Sequence, residues 1–161
     1  MCCSVRDDLV AACLGLLQRP DPPELLIIET SGVSDPVQVA NTFLMPELRS
    51  MLALNGILAV ADAEQVPQLR GEEAALARLQ IEAGDLVVLN KVDLVSKDDL
   101  EAVRNKISEI APRSRTIEAC YGRVPMALLL GCGHGGAEIA QASASPGHGH
   151  RGHGHPFSTW H

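Results

Sequence analysis

Apolar runs and amphipathic stretches alternate along the first 130 residues of this 161-residue chain. Apolar residues at helical spacing, among them Leu9, Cys13 and Leu17, predict a first helix that ends before Pro20. The same spacing predicts further helices at 36–44, 72–83 and 97–110. Strands are predicted at 25–28, 57–61, 86–89 and 115–118. The alternation of strands and helices predicts an α/β fold built on a parallel sheet.

Two of these helices carry recognisable start signals. Pro36 suits the first turn of a helix, with Asp35 or Ser34 as its N-cap. Ser96 suits the N-cap of the helix at 97–110, because acidic residues follow it in the first turn. After Gly131 the pattern dissolves into Gly, Ala, Ser and His, which predicts a disordered linker as far as Pro156.

The most informative motif follows the apolar run at 86–89. Asn90, Lys91 and Asp93 form the pattern N-K-x-D directly after a predicted buried strand. A carboxylate at Asp93 can accept hydrogen bonds from both the ring N–H and the exocyclic amine of guanine, a pairing that adenine cannot offer. Asn90 can brace the loop, and the aliphatic stem of Lys91 can lie along the base. An ordinary polar turn would use the same residue types, so the motif by itself leaves both interpretations open.

A second motif follows the apolar run at 25–28, which is typical of a strand buried on both faces. Glu29 stands at the predicted strand tip and Gly32 follows three residues later. A carboxylate there can hold the water shell of Mg²⁺, and a glycine lets a backbone N–H approach a terminal phosphate. A capped strand-to-helix turn without a ligand is the alternative. The guanine motif downstream favours the magnesium-phosphate interpretation.

Composition restricts the classes of function. The chain is 46% hydrophobic and 20% charged, as expected for an intracellular globular domain. A net charge of −7 without a basic cluster argues against a nucleic-acid partner. Neither a membrane-spanning run nor a signal peptide is present, so we expect a cytoplasmic protein with no membrane partner. Five cysteines without disulfide-scaffold spacing suit a reducing compartment.

The chain resembles the CobW-type metal-chaperone GTPases, which are relatives of the nickel-insertion GTPases HypB and UreG. The matching segments are 2–9, 29–32 with Asp35 and Pro36, 90–94, 121–125, and a His-rich stretch followed by 157–160. The resemblance implies an incomplete P-loop-NTPase-like parallel sheet with flanking helices. It also implies a metallochaperone that couples GTP binding and hydrolysis to delivery of a divalent metal, zinc, to a client metalloprotein. It leaves oligomer formation open.

The resemblance assigns roles to the residues of both motifs. Glu29 would organise Mg²⁺ and its water, and Gly32 would sense the terminal phosphate. Asn90, Lys91 and Asp93 would select guanine.

One departure from the family concerns the phosphate loop. The pattern G-x-x-x-x-G-K-[ST] occurs nowhere in the 161 residues, whereas the family carries it before its metal motif. We therefore expect a fragment that is inactive as it stands. Its parts would be a partial GTP-binding domain at 1–130, a linker at 131–156, and the start of a truncated C-terminal domain at 157–161. A missing central strand would expose the edges and apolar faces of its neighbours.

Two groups of residues are candidate metal ligands. Cys2 and Cys3 resemble the end of the family's Cys-x-Cys-Cys motif, and thiolates favour Zn²⁺. The histidines of the tail can capture Zn²⁺, Ni²⁺ or Cu²⁺ on a flexible chain. They are His148, His150, His153 and His155. Incidental thiols and solubilising low complexity are the alternatives. The competing function is therefore a non-enzymatic zinc- or nickel-binding protein that uses the cysteine pair and the His-rich tail.

Overall fold

The computed structural model describes residues 3–130, with side chains from Arg6 onward. The chain divides into two compact units, with the boundary between Leu54 and Asn55. None of the described helices is both long and apolar enough to cross a membrane.

The first unit contains helices α1 (Cys3–Leu17), α2 (Pro36–Phe43) and α3 (Pro46–Arg49). Its core forms around Cys13, Phe43 and Leu48, which are buried. Asp35 caps α2, because its side chain accepts a hydrogen bond from the backbone N–H of Val37 at 2.9 Å. Of the two predicted caps, the structure uses Asp35, and the predicted first-turn proline is confirmed.

The strand predicted at 25–28 is wrong. These residues have no regular secondary structure, and no described strand pairs with them. Leu26 packs against the core of the first unit, whereas Ile27 is 80% exposed and Leu25 and Ile28 are also exposed. An apolar run becomes a buried strand only where neighbouring strands take up its backbone hydrogen bonds and other elements cover its faces. The described residues provide no strand partner for 25–28, and they cover Leu26 but leave the other three side chains exposed.

The second unit is an α/β layer. Its elements, in chain order, are β1 (Leu58–Asp62), α4 (Gly71–Glu82), β2 (Leu86–Asn90), a 3₁₀ turn (Val92–Leu94), α5 (Lys97–Ile110), β3 (Arg115–Glu118) and α6 (Met126–Leu130). The three strands form one parallel sheet in the order β1-β2-β3. The predicted helix at 97–110 and strand at 115–118 match the structure, and the predictions at 57–61, 72–83 and 86–89 agree within one residue at each end.

The core of the second unit lies where the sheet packs against its helices. Val87 and Leu89 of β2 contact a cluster that includes Val103 and Ile107 of α5. Ser96 caps α5 as predicted, since its hydroxyl accepts from the backbone N–H of Asp99 at 3.2 Å. The central strand β2 is buried along Leu86–Leu89, which places the residues that follow it at the carboxyl edge of a rigid sheet.

The edge strand β1 is less covered than β2. Its residues alternate between buried and exposed, and Val60 is 67% exposed. Gly84, just before β2, lies close to β1: a Cβ there would come within 2.8 Å of the Cβ of Ala59. Glycine at position 84 therefore permits the close approach that brings the two strands into register.

Candidate guanine-recognition site

The residues N-K-x-D occupy the carboxyl end of the central strand. Asn90 is the last residue of β2, and Asp93 lies in the 3₁₀ turn that follows. In open α/β sheets, ligands bind outside the carboxyl ends of the strands, where the loops converge. The predicted guanine motif therefore stands where this architecture places a ligand site.

The loop after β2 has a conformation that is uncommon for its residue types. Lys91 adopts a left-handed backbone with φ of 60°. The backbone N–H of Leu94 donates to the carbonyl oxygen of Lys91 at 3.0 Å. The backbone N–H of Val92 donates to Ala119 at 3.4 Å, and that of Ala119 donates to Leu89 at 2.9 Å. These bonds join the loop to the segment that follows β3. A non-glycine residue with positive φ persists where its surroundings hold it, and such positions are enriched at functional sites.

Asn90 connects the loops of two strands. Its side-chain Oδ1 accepts from the backbone N–H of Gly122 at 2.9 Å, and its carbonyl accepts from the backbone N–H of Ala63 at 2.9 Å. Tyr121 and Gly122 both have positive φ, so this turn presents the Gly122 N–H towards the amide oxygen. The Asn90 side chain thus braces the loop after β3, while its direct contact with a base stays a prediction.

Lys91 is held by the neighbouring strand. Its ammonium Nζ lies 2.7 Å from Oδ2 of Asp62, the last residue of β1. The hydrogen bond from Lys91 to Asp62 raises the pKa of that ammonium, so the lysine stays charged at neutral pH. The pair crosses from the tip of β2 to the tip of β1.

Asp93 is exposed and stands next to Cys120. Burial, followed by hydrogen bonding to the Asp93 carboxylate, raises the pKa of the Cys120 thiol. A protonated thiol can donate to a carboxylate oxygen, which orients the carboxylate while leaving it able to accept from a ligand. Asp93 can therefore serve as the hydrogen-bond acceptor that its place in the N-K-x-D motif predicts.

Glu29 and Gly32 belong to the first unit. Glu29 is exposed. Around Gly32 the chain turns, since the backbone N–H of Ser34 donates to Ser31 at 2.9 Å and their hydroxyls lie 2.8 Å apart. A Cβ at Gly32 would meet no protein atom within 4 Å, and its φ lies outside the positive region. The packing of this chain therefore does not itself require glycine at that position.

The predicted metal ligands largely lie outside the described residues. Cys2 and the four tail histidines His148, His150, His153 and His155 are among the residues that the structure does not describe. Cys3 begins α1, but its side chain is also outside the description. Within the described part of the chain, no three His, Cys, Asp or Glu side chains come together as a metal site.

Three residues that contact the motif were not predicted from the sequence: Asp62, Cys120 and Gly122. The signal for Asp62 was available, because it directly follows an apolar run, as Asn90 does. Parallel strands end at the same edge, so both residues had to reach the same side of the sheet. Cys120 and Gly122 follow a strand that is mostly exposed, and their sequence spacing shows nothing of their contacts with Asp93 and Asn90.

Comparisons with known proteins show the family to which the chain is similar. The family model described as "CobW/HypB/UreG, nucleotide-binding domain" matches residues 1–118. A zinc chaperone CobW from Sinorhizobium sp is 36% identical over 157 residues, covering 84% of this chain and 44% of that protein. Zinc-regulated GTPase metalloprotein activator 1 from Schizosaccharomyces pombe is 33% identical over 125 residues, covering 77% of this chain and 30% of that protein. The chain thus spans less than half the length of these two relatives.

A solved structure shows the same fold. The Zn(II)-bound YjiA GTPase from E. coli superposes with a TM-score of 0.64 at 24% identity, covering 78% of this chain and 39% of that one. The α/β fold with a parallel sheet and flanking helices, predicted from the sequence, is confirmed.

Proposed function

The chain belongs to the CobW/HypB/UreG nucleotide-binding domain family, and we propose on that premise that it is the guanine-nucleotide-binding part of a GTP-dependent zinc chaperone. The names of its relatives, a zinc chaperone and a zinc-regulated GTPase activator, support the metal and the nucleotide.

The observation that carries the proposal is the placement of the Asp93 carboxylate. It is exposed at the carboxyl end of a buried central strand, in a loop fixed by hydrogen bonds to the segment after β3. An ionised carboxylate has only acceptor oxygens, and guanine presents two adjacent donors on its ring N–H and exocyclic amine. The amide of Asn90 keeps the adjoining loop in place, and the stem of Lys91 lies beside the same edge of the sheet. Guanine is the purine that this donor and acceptor pattern favours.

The roles proposed for Glu29 and Gly32, both in the first unit, concern magnesium and phosphate. An exposed carboxylate such as that of Glu29 suits Mg²⁺, which keeps most of its water shell and takes few protein ligands. Mg²⁺ would supply charge neutralisation of the phosphates. The open space at Gly32 fits close approach of a ligand to the backbone, since no protein atom fills the position of a Cβ. Hydrolysis by these 161 residues alone is expected to be undetectable, because they contain no G-x-x-x-x-G-K-[ST] pattern.

The metal in this proposal is cargo. Cys2 and Cys3 would hold zinc as thiolates, and His148, His150, His153 and His155 would capture it from solution. Coupling of nucleotide state to release of zinc to a client metalloprotein completes the proposed function. The cytoplasmic location stays a prediction.

The test is isothermal titration calorimetry of the full 161-residue chain with GDP, with ADP, and with Zn²⁺. We expect binding of GDP with Mg²⁺ present, weaker or absent binding of ADP, and binding of zinc. A chain in which both Cys2 and Cys3 are replaced by Ser should bind less zinc and the same amount of GDP. Zinc binding without any guanine preference would overturn the nucleotide proposal and favour the non-enzymatic metal-binding protein. Guanine binding without zinc binding would overturn the metal part.

A further inference from the structure

Asp62 lies beside the guanine motif by strand register. It is the last residue of β1 and pairs with Asn90, the last residue of β2, so Lys91 directly follows the paired position. The Asp62 carboxylate reaches the Lys91 ammonium at 2.7 Å. The lysine side chain therefore runs across the carboxyl edge of the sheet, from one strand tip towards the next.

The Asp62 carboxylate is itself anchored. Its Oδ1 accepts from the backbone N–H of Glu64 at 2.9 Å and from that of Gln65 at 3.3 Å, while Oδ2 contacts Lys91. Burial favours the neutral acid, but the Lys91 ammonium and the two backbone donors outweigh it and hold the pKa of Asp62 below its usual value. The group is ionised at neutral pH and both of its oxygens are engaged. Its position is thus fixed by the turn after β1 and does not depend on the lysine.

The backbone of Lys91 restricts the other end of the side chain. With φ of 60°, its Cα–Cβ bond leaves the loop in a direction set by the left-handed conformation. A lysine stem has four rotatable bonds, and an unrestrained stem would sample many rotamers. Fixing both ends leaves few rotamers, so the methylene groups keep one course between the end of β2 and the end of β1.

We propose that Asp62 is a positioning residue for nucleotide binding: through its ion pair it holds the Lys91 stem in place as a support for the face of the purine. The inference rests on the proposed function. Ordering the stem before the ligand arrives removes an entropy cost from binding. Because a methylene strip contacts the face of any purine, Asp62 should affect affinity without affecting the choice of base, which belongs to Asp93.

The competing interpretation is that the ion pair only ties β1 to β2. The two interpretations differ in what the substitution Asp62→Asn changes. If the ion pair only joins the strands, Asp62→Asn should lower the free energy of unfolding and loosen the whole loop. The preference for guanine over other bases would then fall together with the affinity for nucleotide. A positioning residue that acts through Lys91 leaves that preference intact and has no effect once the Lys91 stem is removed.

The experiment is a double-mutant cycle on the full chain, with GDP, ADP and inosine diphosphate as probes. The variants are Asp62→Asn, Lys91→Ala and the pair together, with Glu64→Gln as the matched control. Glu64 is exposed in the same turn and carries the same charge. Its carboxylate makes no ion pair with Lys91 within the described residues, and it is the smallest of the causes that raise the Lys91 pKa. Thermal unfolding of each variant and a ¹³C titration of the Lys91 side chain accompany the binding measurements.

We expect Asp62→Asn to weaken GDP binding about 2- to 5-fold, as for a partly exposed ion pair. The ratio of GDP to inosine diphosphate affinity should not change, and the Lys91→Ala background should abolish the effect. Glu64→Gln should bind as the unmodified chain does. The titration should show a lower Lys91 pKa in Asp62→Asn than in Glu64→Gln, since Asp62 is the carboxylate that raises this pKa most.

Any of four results would overturn the inference. The first is an unchanged GDP affinity in Asp62→Asn, and the second is a lower ratio of GDP to inosine diphosphate affinity in that variant. The third is an equal loss of affinity when Asp62→Asn is added to Lys91→Ala, and the fourth is an unchanged Lys91 titration. If the unmodified chain shows no preference for GDP over ADP, the proposed function fails and the positioning role fails with it. The Lys91 titration then still reports whether the ion pair exists. Binding by the unmodified chain with no effect of Asp62→Asn would overturn this inference alone.

Discussion

Two segments of this chain have the same layout in the sequence and different structures. Each has an acidic residue, then four apolar residues, then a polar motif: Glu24 with 25–28 and Glu29, and Asp85 with 86–89 and Asn90. The second segment is the buried central strand of a sheet, whereas the first has no regular secondary structure and exposes Ile27.

The difference lies in the neighbours. β2 has a parallel partner on each side, and its side chains contact α5. None of the described strands pairs with residues 25–28. A polar motif that follows a paired strand is held by contacts with residues that follow or end the neighbouring strands, as Asn90 is by Gly122 and Lys91 by Asp62. After an unpaired segment it depends on local turns, as the turn between Ser31 and Ser34 shows.

The largest expected effect comes from truncating one apolar side chain in each segment. Leu89 is fully buried, so Leu89→Ala should lower the free energy of unfolding by about 2–5 kcal/mol through lost burial and an internal cavity. Ile27→Ala should change it by less than about 0.5 kcal/mol, because that side chain is exposed. Urea denaturation followed by circular dichroism measures both. A loss at Ile27 as large as that at Leu89 would show that residues 25–28 are paired and buried in solution.

Substitutions in the two polar motifs should differ in their effect on the choice of base. Asp93→Asn replaces two acceptor oxygens by one acceptor and an amide donor, which suits xanthine better than guanine. We expect the affinity for GDP to fall about 10- to 100-fold, as for loss of charged hydrogen bonds. The affinity for xanthosine diphosphate should rise. Glu29→Gln in the first unit should leave the preference between these bases unchanged. Competition titrations with the two nucleotides measure the ratio, and an unaltered ratio in Asp93→Asn would refute its role.

The glycines of the two regions should respond differently to an added methyl group. Gly84→Ala should destabilise the second unit by about 1–3 kcal/mol, because the new Cβ would lie 2.8 Å from the Cβ of Ala59. Gly32→Ala meets open space and should leave stability unchanged while weakening nucleotide binding. Gly15→Ala, a helix-interior position that is also open, is the control and should stabilise by about 0.5–1 kcal/mol. Weaker nucleotide binding in Gly15→Ala would show that the assay reports something other than the site.

The smallest effect concerns the acidic residues that precede the two apolar runs. Burial raises the pKa of Asp85 to about 8, although its Oδ2 accepts from the backbone N–H of Ile57 at 3.1 Å. An unfolded aspartate titrates near 3.9, so the folded state binds an extra proton between these two values. The contribution of protonated Asp85 to the free energy of unfolding is therefore complete below about pH 4 and is lost as the pH rises towards 8.

Asp85→Asn should remove this dependence and make the protein more stable than the unmodified chain above pH 8. We expect a gain of about 1–2 kcal/mol, well below the full linkage value for such a shift, because the carboxyl group is only partly buried and solvent screens its charge. The amide oxygen can still accept from Ile57. Glu24→Gln, at the matching exposed position, should leave the pH profile intact. Thermal unfolding at a series of pH values measures the profile, and a slope that persists in Asp85→Asn would assign it to another group.

Much of the second unit was predictable because its signals are local. The helix at 97–110 has a capping serine, acidic residues in its first turn and apolar residues at helical spacing. β2 is apolar at every position from Leu86 to Leu89, and Asn90, Lys91 and Asp93 follow it in a recognisable order. The short helices α3 and α6 were not predicted, since four or five residues carry too little periodicity.

The amino-acid sequence by itself determined the family, the alternation of helices and strands, and the order of the polar motifs, because these depend on residue type and spacing. Only the tertiary structure decided which apolar run became a strand, which carboxylate pairs with Lys91, and which backbone N–H meets Asn90. Those contacts join residues that are distant in the chain, and the hydrogen-bond partners of a strand lie on other strands. A pattern within one segment therefore shows what the segment can form, and its neighbours decide whether it forms.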